Sequence, residues 1–206
     1  MKSMNCVSFL PTLLVLLFLS QPNEAQDLNP THGEQKAAMS KLKPLVGHWK
    51  GTGWIEFGPR RFDFESSEIF AEKASGLAII VEGLHHMAMP DDKRQVVHDA
   101  VAMITFDPKS DRYRFVTQLA NGRAGTYHAT FTKDGDFQWT IPDTPQGKMI
   151  YTISFQKDGQ CREIGDLVSN SGDRKKFFEM NLRRVKAETH PPKGSGLVLT
   201  HIFVSL

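Results

Sequence analysis

Residues 45–54, LVGHWKGTGW, carry Gly47, Trp49, Gly51 and Gly53 at a period of two. That period puts all four on one face of a strand. Glycine weakens a strand interior and is kept where another group must approach the backbone closely. An indole and three glycines on one face predict the first strand of a small closed β-barrel. Trp49 then plugs the floor, and Gly51 and Gly53 leave room above it.

The stretch before this strand has two parts. Residues 1–25 read as a signal peptide: Lys2 gives a basic start, Pro11 to Ser20 (PTLLVLLFLS) is apolar but too short to span a bilayer, and Ala25 is a cleavage residue. This predicts a secreted or periplasmic protein. Cys6 precedes the apolar run, so the mature chain retains one cysteine, Cys161, and no internal disulfide. Residues 26–33 form a polar leader. Glu34 to Lys43 reads as a short helix with Ala38, Leu42 and Leu45 on one side and Pro44 at its end. Such a helix can close one end of the barrel.

From Val46 onward the pattern is alternation punctuated by turn residues. The breaks fall at Gly58-Pro59, Ala74 to Gly76, Pro90 to Asp92, Asp107 to Asp111, Asn121-Gly122, Asp134-Gly135, Pro142 to Gly147, Asp158-Gly159 and Asn170 to Asp173. Asn-Gly and Asp-Gly supply positive φ cheaply and mark hairpins. Evenly spaced hairpins without an intervening helix predict an all-β fold, an up-and-down antiparallel barrel of about ten strands over residues 34–185. A β-sandwich is the alternative, and it would show longer cross-connections. Residues 186–206 form a tail whose apolar end, Gly196 to Leu206, is far shorter than a membrane span.

The inward faces carry the candidate chemistry. Phe62, Phe64, Ser66, Glu68 and Phe70 share a face, as do Val96, His98, Ala100, Ala102 and Ile104. Glu163 lies with Gly165, opposite Ile164, and the last strand sets Phe178, Met180 and Leu182 against Phe177, Glu179 and Asn181. Glu68, His98, Glu163 and Glu179 are therefore candidates to reach one apolar cavity, with Arg114 as an ionic partner and Trp49, Gly51 and Gly53 lining its base. A few polar groups in an apolar concavity are the usual make-up of a small-molecule site. Each has an ordinary structural alternative: a satisfied histidine for His98, and a solvated outer face for Arg114 and for Glu82.

Other functions find little support. A net charge of +2 gives no footprint for nucleic acid. His85 and His86 are adjacent and point to opposite faces of a strand, so they cannot share a metal ion. No cysteine pair, phosphate loop or nucleophile motif is present, and no metal is expected.

Particular segments resemble a known family. LVGHWKG at 45–51, VVHDAVAMITFDPKSDRYRF at 96–115, GKMIYTISF at 147–155, EIG at 163–165 and FFEMNLRRV at 177–185 resemble secreted bacterial lipocalin-like (calycin-type) barrels of largely unassigned function. More distantly, Gly47, Trp49, Gly51 and Gly53 are similar to the first strand of nitrobindin-type barrels. Those hold haem through a histidine of the last strand, where this chain has Lys176-Phe177-Phe178. The resemblance thus implies a barrel cavity, and the departure implies no haem and no cofactor.

Two function classes remain. One is a non-catalytic binder of a small, largely apolar molecule with a polar group. The other is an enzyme of isomerase or cyclase type, with an inward carboxylate or His98 as general acid or base. Oligomeric state is left open by the sequence.

Overall fold

The computed structural model describes residues 31–89, 93–156 and 158–187. The expected signal peptide, most of the expected leader, the break expected at Pro90 to Asp92 and the tail beyond residue 187 lie outside them. Ten strands follow one another: β1 (Gly47–Phe57), β2 (Arg60–Lys73), β3 (Ala78–Ala88), β4 (Arg94–Asp107), β5 (Arg112–Leu119), β6 (Ala124–Phe131), β7 (Phe137–Thr144), β8 (Gly147–Phe155), β9 (Cys161–Val168) and β10 (Arg174–Val185). Each pairs antiparallel with its neighbour in sequence, and β10 returns to β1, so the sheet is a closed up-and-down barrel with no free edge.

Local sequence explains the regularity. Four hairpins use one turn, in which a residue's N–H bonds the carbonyl four residues on and a glycine N–H returns to its carbonyl. They start at Leu119, Thr132, Gln156 and Ser169, and their glycines, Gly122, Gly135, Gly159 and Gly172, have φ of 86°, 86°, 80° and 94°. Only glycine adopts that conformation without strain. Pro142 departs from its expected place in a turn: it lies inside β7, next to a register shift between Ile141 and Thr144. Proline has no N–H to give to the ladder, so the pairing breaks there.

One end of the barrel is dry. A helix, α1 (His32–Ser40), and a 3₁₀ turn (Lys43–Leu45) precede β1, so the helix ends earlier than Lys43 and Pro44 falls within the turn. Ala38, Met39, Leu42 and Leu45 are buried over this end with Ile104, Tyr113, Phe137 and Leu182. Trp49 is 2% exposed, and its Nε1–H donates to the Leu45 carbonyl at 2.7 Å. Tyr113 Oη donates to the Ala38 carbonyl at 2.7 Å, tying helix to sheet. Arg184 closes the end from below, lying over the Trp49 ring and bonding the carbonyls of Val46 and Pro44.

Candidate functional site

Above this floor, aromatic rings line the interior. Phe64, His85 and His98 stack in sequence, with centroids 4.7 and 4.6 Å apart, and Phe64 also packs on Phe178 at 5.8 Å. Phe178 meets Tyr151 edge-on at 5.8 Å, and Tyr151 stacks on Trp139 at 4.2 Å, which in turn stacks on Phe115 at 4.9 Å. This arc draws side chains from β4, β3, β2, β10, β8, β7 and β5 and runs around most of the barrel. Tyr127 of β6 joins it through Trp139.

The glycines of the first strand are consumed by this packing. A Cβ on Gly53 would lie 2.5 Å from Cζ of Phe64, and one on Gly51 would lie 1.9 Å from the Asn181 carbonyl oxygen. Gly53 therefore accommodates the Phe64 ring, and Gly51 allows β10 to approach. Neither leaves space for a ligand, and the expectation that they would is corrected. The partly exposed inward rings are elsewhere: Tyr127, Trp139, Tyr151 and Phe177 are only half-buried, although they face the interior.

Two carboxyls face the interior along with the rings. Glu68, on β2 between Ser66 and Phe70, has a side chain 12% exposed, and its Oε1 lies 3.4 Å from Nε2 of His85. Glu163 of β9 accepts a hydrogen bond at 3.2 Å from Trp139 Nε1. Burial pushes Glu68 up to about 7. Burial, and then the nearby Glu68, push Glu163 up to about 8, against the opposing Trp139 hydrogen bond. Among the described residues neither pairs with a Lys or Arg.

Burial also acts on the histidines, in the opposite direction, because it disfavours the charged form. His85 falls to about 4 through burial and then the neighbouring His86. His98 falls to about 4 through burial and then His85, with Asp99 opposing. Near neutral pH the pair at 3.4 Å is thus held by hydrogen bonding more than by full charges. The interior can offer a protonated carboxyl as a donor and an imidazole nitrogen as an acceptor.

Ser66 completes the cluster. It sits between Phe64 and Glu68 on the inward face of β2, opposite His85, and is 5% exposed. Its Oγ has no hydrogen-bond partner among the described residues. A buried hydroxyl without a partner costs stability unless something supplies one.

Glu68, His98 and Glu163 are thus brought to one interior. Glu179 and Arg114 are not, which corrects both placements. Glu179 lies on the outer face of β10, where it bonds Arg162 and Lys176, and the Lys176 hydrogen bond leads in lowering its pKa. Strand alternation sends it outward, since Phe178 and Met180 on either side point in. Arg114 is exposed, with its inward neighbours Tyr113 and Phe115 buried. Val96 likewise leaves the inward face: the register shifts between His85 and His86, placing Val96 opposite His86 and half-exposed.

Ser66, His85, Trp139 and Tyr151 are missing from the sequence-derived site. For His85 a signal existed, since it alternates with Val81 and Gly83. Cys161 is buried near the floor, its thiol pushed up to about 12 chiefly by burial. No group of three or more His, Cys, Asp or Glu among the described residues is placed to hold a metal ion. No described helix is long and apolar enough to cross a membrane.

Solved structures share this architecture. Rv2717c from M. tuberculosis superposes with a TM-score of 0.53 at 16% identity, over 72% of this chain and 98% of that one. The S-type phycobiliprotein lyase CPES from Guillardia theta gives a TM-score of 0.53 at 10% identity, over 73% and 94%. At these identities the likeness is one of fold. No protein-family model matches the chain, and no curated protein sequence matches it.

Proposed function

We propose that this protein binds a small, largely apolar molecule within the barrel and holds its polar group against Glu68, Glu163 and His85. One observation carries the reading: the buried Ser66 hydroxyl, unpartnered among the described residues, shares the inward face of β2 with Glu68, in an interior that also holds Glu163 and is lined mostly by rings. The half-buried inward rings Tyr127, Trp139 and Tyr151 support it, because a barrel filled by its own side chains would bury them. Native mass spectrometry of protein from its own host tests this. The expected result is a small molecule retained at one per chain and lost on heating. An empty mass, together with Trp fluorescence unresponsive to a library of apolar compounds, would contradict it.

The second reading is catalytic. A carboxyl poised near neutrality, as burial makes Glu68 and Glu163, is suited to proton transfer. One structural neighbour is by name a lyase, so the architecture serves an enzyme there. Chemical change of the retained molecule, abolished in Glu163→Gln with binding kept, would favour this reading over simple binding.

Export and membership of the secreted lipocalin-like family belong to the same proposal. They rest on residues 1–25 and on the segments quoted above. N-terminal sequencing of host protein should begin near Gln26. We infer no haem, because β10 carries no histidine and the register shift between Lys176 and Phe178 sets Phe177 and Phe178 against Tyr151. Added haem should give no stoichiometric complex.

A further inference from the structure

Two carboxyls, mostly buried and without a basic partner among the described residues, specify more than a generic polar contact. Each is disfavoured as an anion by burial, and the charge on Glu68 further disfavours ionisation of Glu163. Bringing them together in one interior is unfavourable unless something compensates. Within the protein the compensation is partial. Trp139 gives one hydrogen bond to Glu163, and His85 reaches one oxygen of Glu68.

The ionisable side chains that β3, β4, β8 and β9 add to the interior, Glu163 apart, are held in their neutral forms by burial. β3 and β4 contribute His85 and His98, which burial keeps neutral, and β9 adds the Cys161 thiol, which burial also keeps protonated. β8 contributes the Tyr151 phenol, raised by burial and by Glu163, and β6 contributes Tyr127. Outward-facing His86 and Asp99 act on the two histidines in opposite senses. Two basic groups act on interior side chains from the ends, Arg184 on Cys161 and Arg123 on Tyr151. Arg184 lies beneath the floor on Trp49, and Arg123 follows the turn after β5 at the opposite end. Neither pairs with a carboxyl of the interior.

Among ligand head groups, an anion would add a third negative charge to this site. A neutral group would leave both carboxyls desolvated, one or both of them holding a proton. A cation turns each into a favourable neighbour, and the surrounding ring faces attract it as well.

We propose, resting on the binding reading above, that the polar end of the ligand is an organic cation, a protonated amine or amidine. Its N–H groups are taken up by Glu68 and Glu163, and one N–H is accepted by the free Ser66 Oγ. The apolar remainder lies against Trp139 and Tyr151. Binding then releases protons from the carboxyls to solvent, so affinity strengthens from pH 5.5 to pH 8.5.

The test is calorimetric titration of the full mature chain with three near-isosteres: benzamidine, benzamide and benzoate. Benzamidine should bind at least tenfold more tightly than benzamide at pH 8, with benzoate weakest. Heats measured in two buffers of different ionisation enthalpy should show proton release with benzamidine alone. Glu68→Gln and Glu163→Gln should each weaken benzamidine at least tenfold more than they weaken benzamide, while Glu179→Gln on the outer face should alter neither. If a Gln variant fails to fold, the proton release by the wild-type protein decides. Benzamide or benzoate binding as tightly as benzamidine, or benzamidine binding without proton release, overturns the cation and leaves the binding reading standing. Absence of binding by all three overturns both.

Discussion

Trp139 Nε1 donates to Oε1 of Glu163 across two strands, at 3.2 Å, from the middle of a three-ring stack with Phe115 and Tyr151. The rings orient the indole, and the indole orients the carboxyl. The bond is the one influence that lowers the Glu163 pKa, against burial and the Glu68 charge. Trp139→Phe keeps a ring in the stack and deletes the donor. The Glu163 pKa should then rise further above its value of about 8, read from the carboxyl carbon chemical shift against pH. An unchanged midpoint would show that this contact does not act on the carboxyl.

Most of the fold is legible in the sequence, because both of its determinants are local. Alternation assigns faces, and turn dipeptides such as Asn121-Gly122 and Asp158-Gly159 set strand ends. Glu68, His98 and Glu163 follow from parity in the same way. The misplacements have local causes too. Glu179 shares parity with Phe177, which turns toward Tyr151 only because the register shifts beside it, so its company with an inward ring is deceptive. His85 is obscured by its neighbour His86, whose adjacency suggests a failed metal pair and draws attention from the inward parity of His85 alone. What no local pattern carries is contact that skips a strand: Trp139 and Glu163 are 24 residues apart on β7 and β9, with β8 between them. The buried Ser66 hydroxyl is equally silent, because its surroundings are set by β3 and not by its own strand.

Gly53 is required by the ring arc. An added methyl would lie 2.5 Å from Phe64 Cζ and 2.7 Å from the Glu179 carbonyl oxygen, and Phe64 is held between His85 and Phe178. Neither neighbour can retreat freely. Gly53→Ala should lose about 1–3 kcal/mol of stability in urea unfolding, as overpacking does. Gly122, which keeps its role through φ alone and has open space around it, makes a useful contrast: there Ala should fail by backbone strain, with the ring packing undisturbed.

Tyr113 anchors the helix that closes the floor. Its hydroxyl donates to the Ala38 carbonyl at 2.7 Å in a buried position. Tyr113→Phe leaves that carbonyl with the Lys41 N–H as its remaining donor, at 3.1 Å, and should cost about 0.5–1.5 kcal/mol. Hydrogen exchange should localise the change, with amides of residues 38–45 losing protection before those of β1. Uniform loss across the barrel would mean that the helix is not held separately.

The interior titrating groups also predict how stability depends on pH. Glu68 and Glu163 have folded pKa values, about 7 and about 8, above the ordinary 4.5, so the folded state keeps protons that the unfolded state has lost. Their contribution is fully present below 4.5 and declines as pH rises through 7 and 8. His85 and His98 have folded values of about 4, below the ordinary 6.5, so their contribution is present above 6.5 and declines as pH falls toward 4. Between about 4.5 and 6.5 the two pairs have opposite slopes and nearly cancel. Above 6.5 the histidines are neutral in both states and the carboxyls act alone. Ligand-free protein should therefore hold a stability plateau from about pH 4.5 to 6.5 and lose about 2–3 kcal/mol by pH 8, at roughly 1.4 kcal/mol per proton per pH unit. Glu163→Gln removes the carboxyl with the highest pKa, so it should flatten the alkaline decline and gain more at pH 8.5 than at pH 5. Thermal unfolding of both proteins across that range checks the sign directly. A wild-type stability that rises between pH 6.5 and 8 would mean that the carboxyls are ionised and compensated in the folded barrel, and the protonated interior would have to be given up.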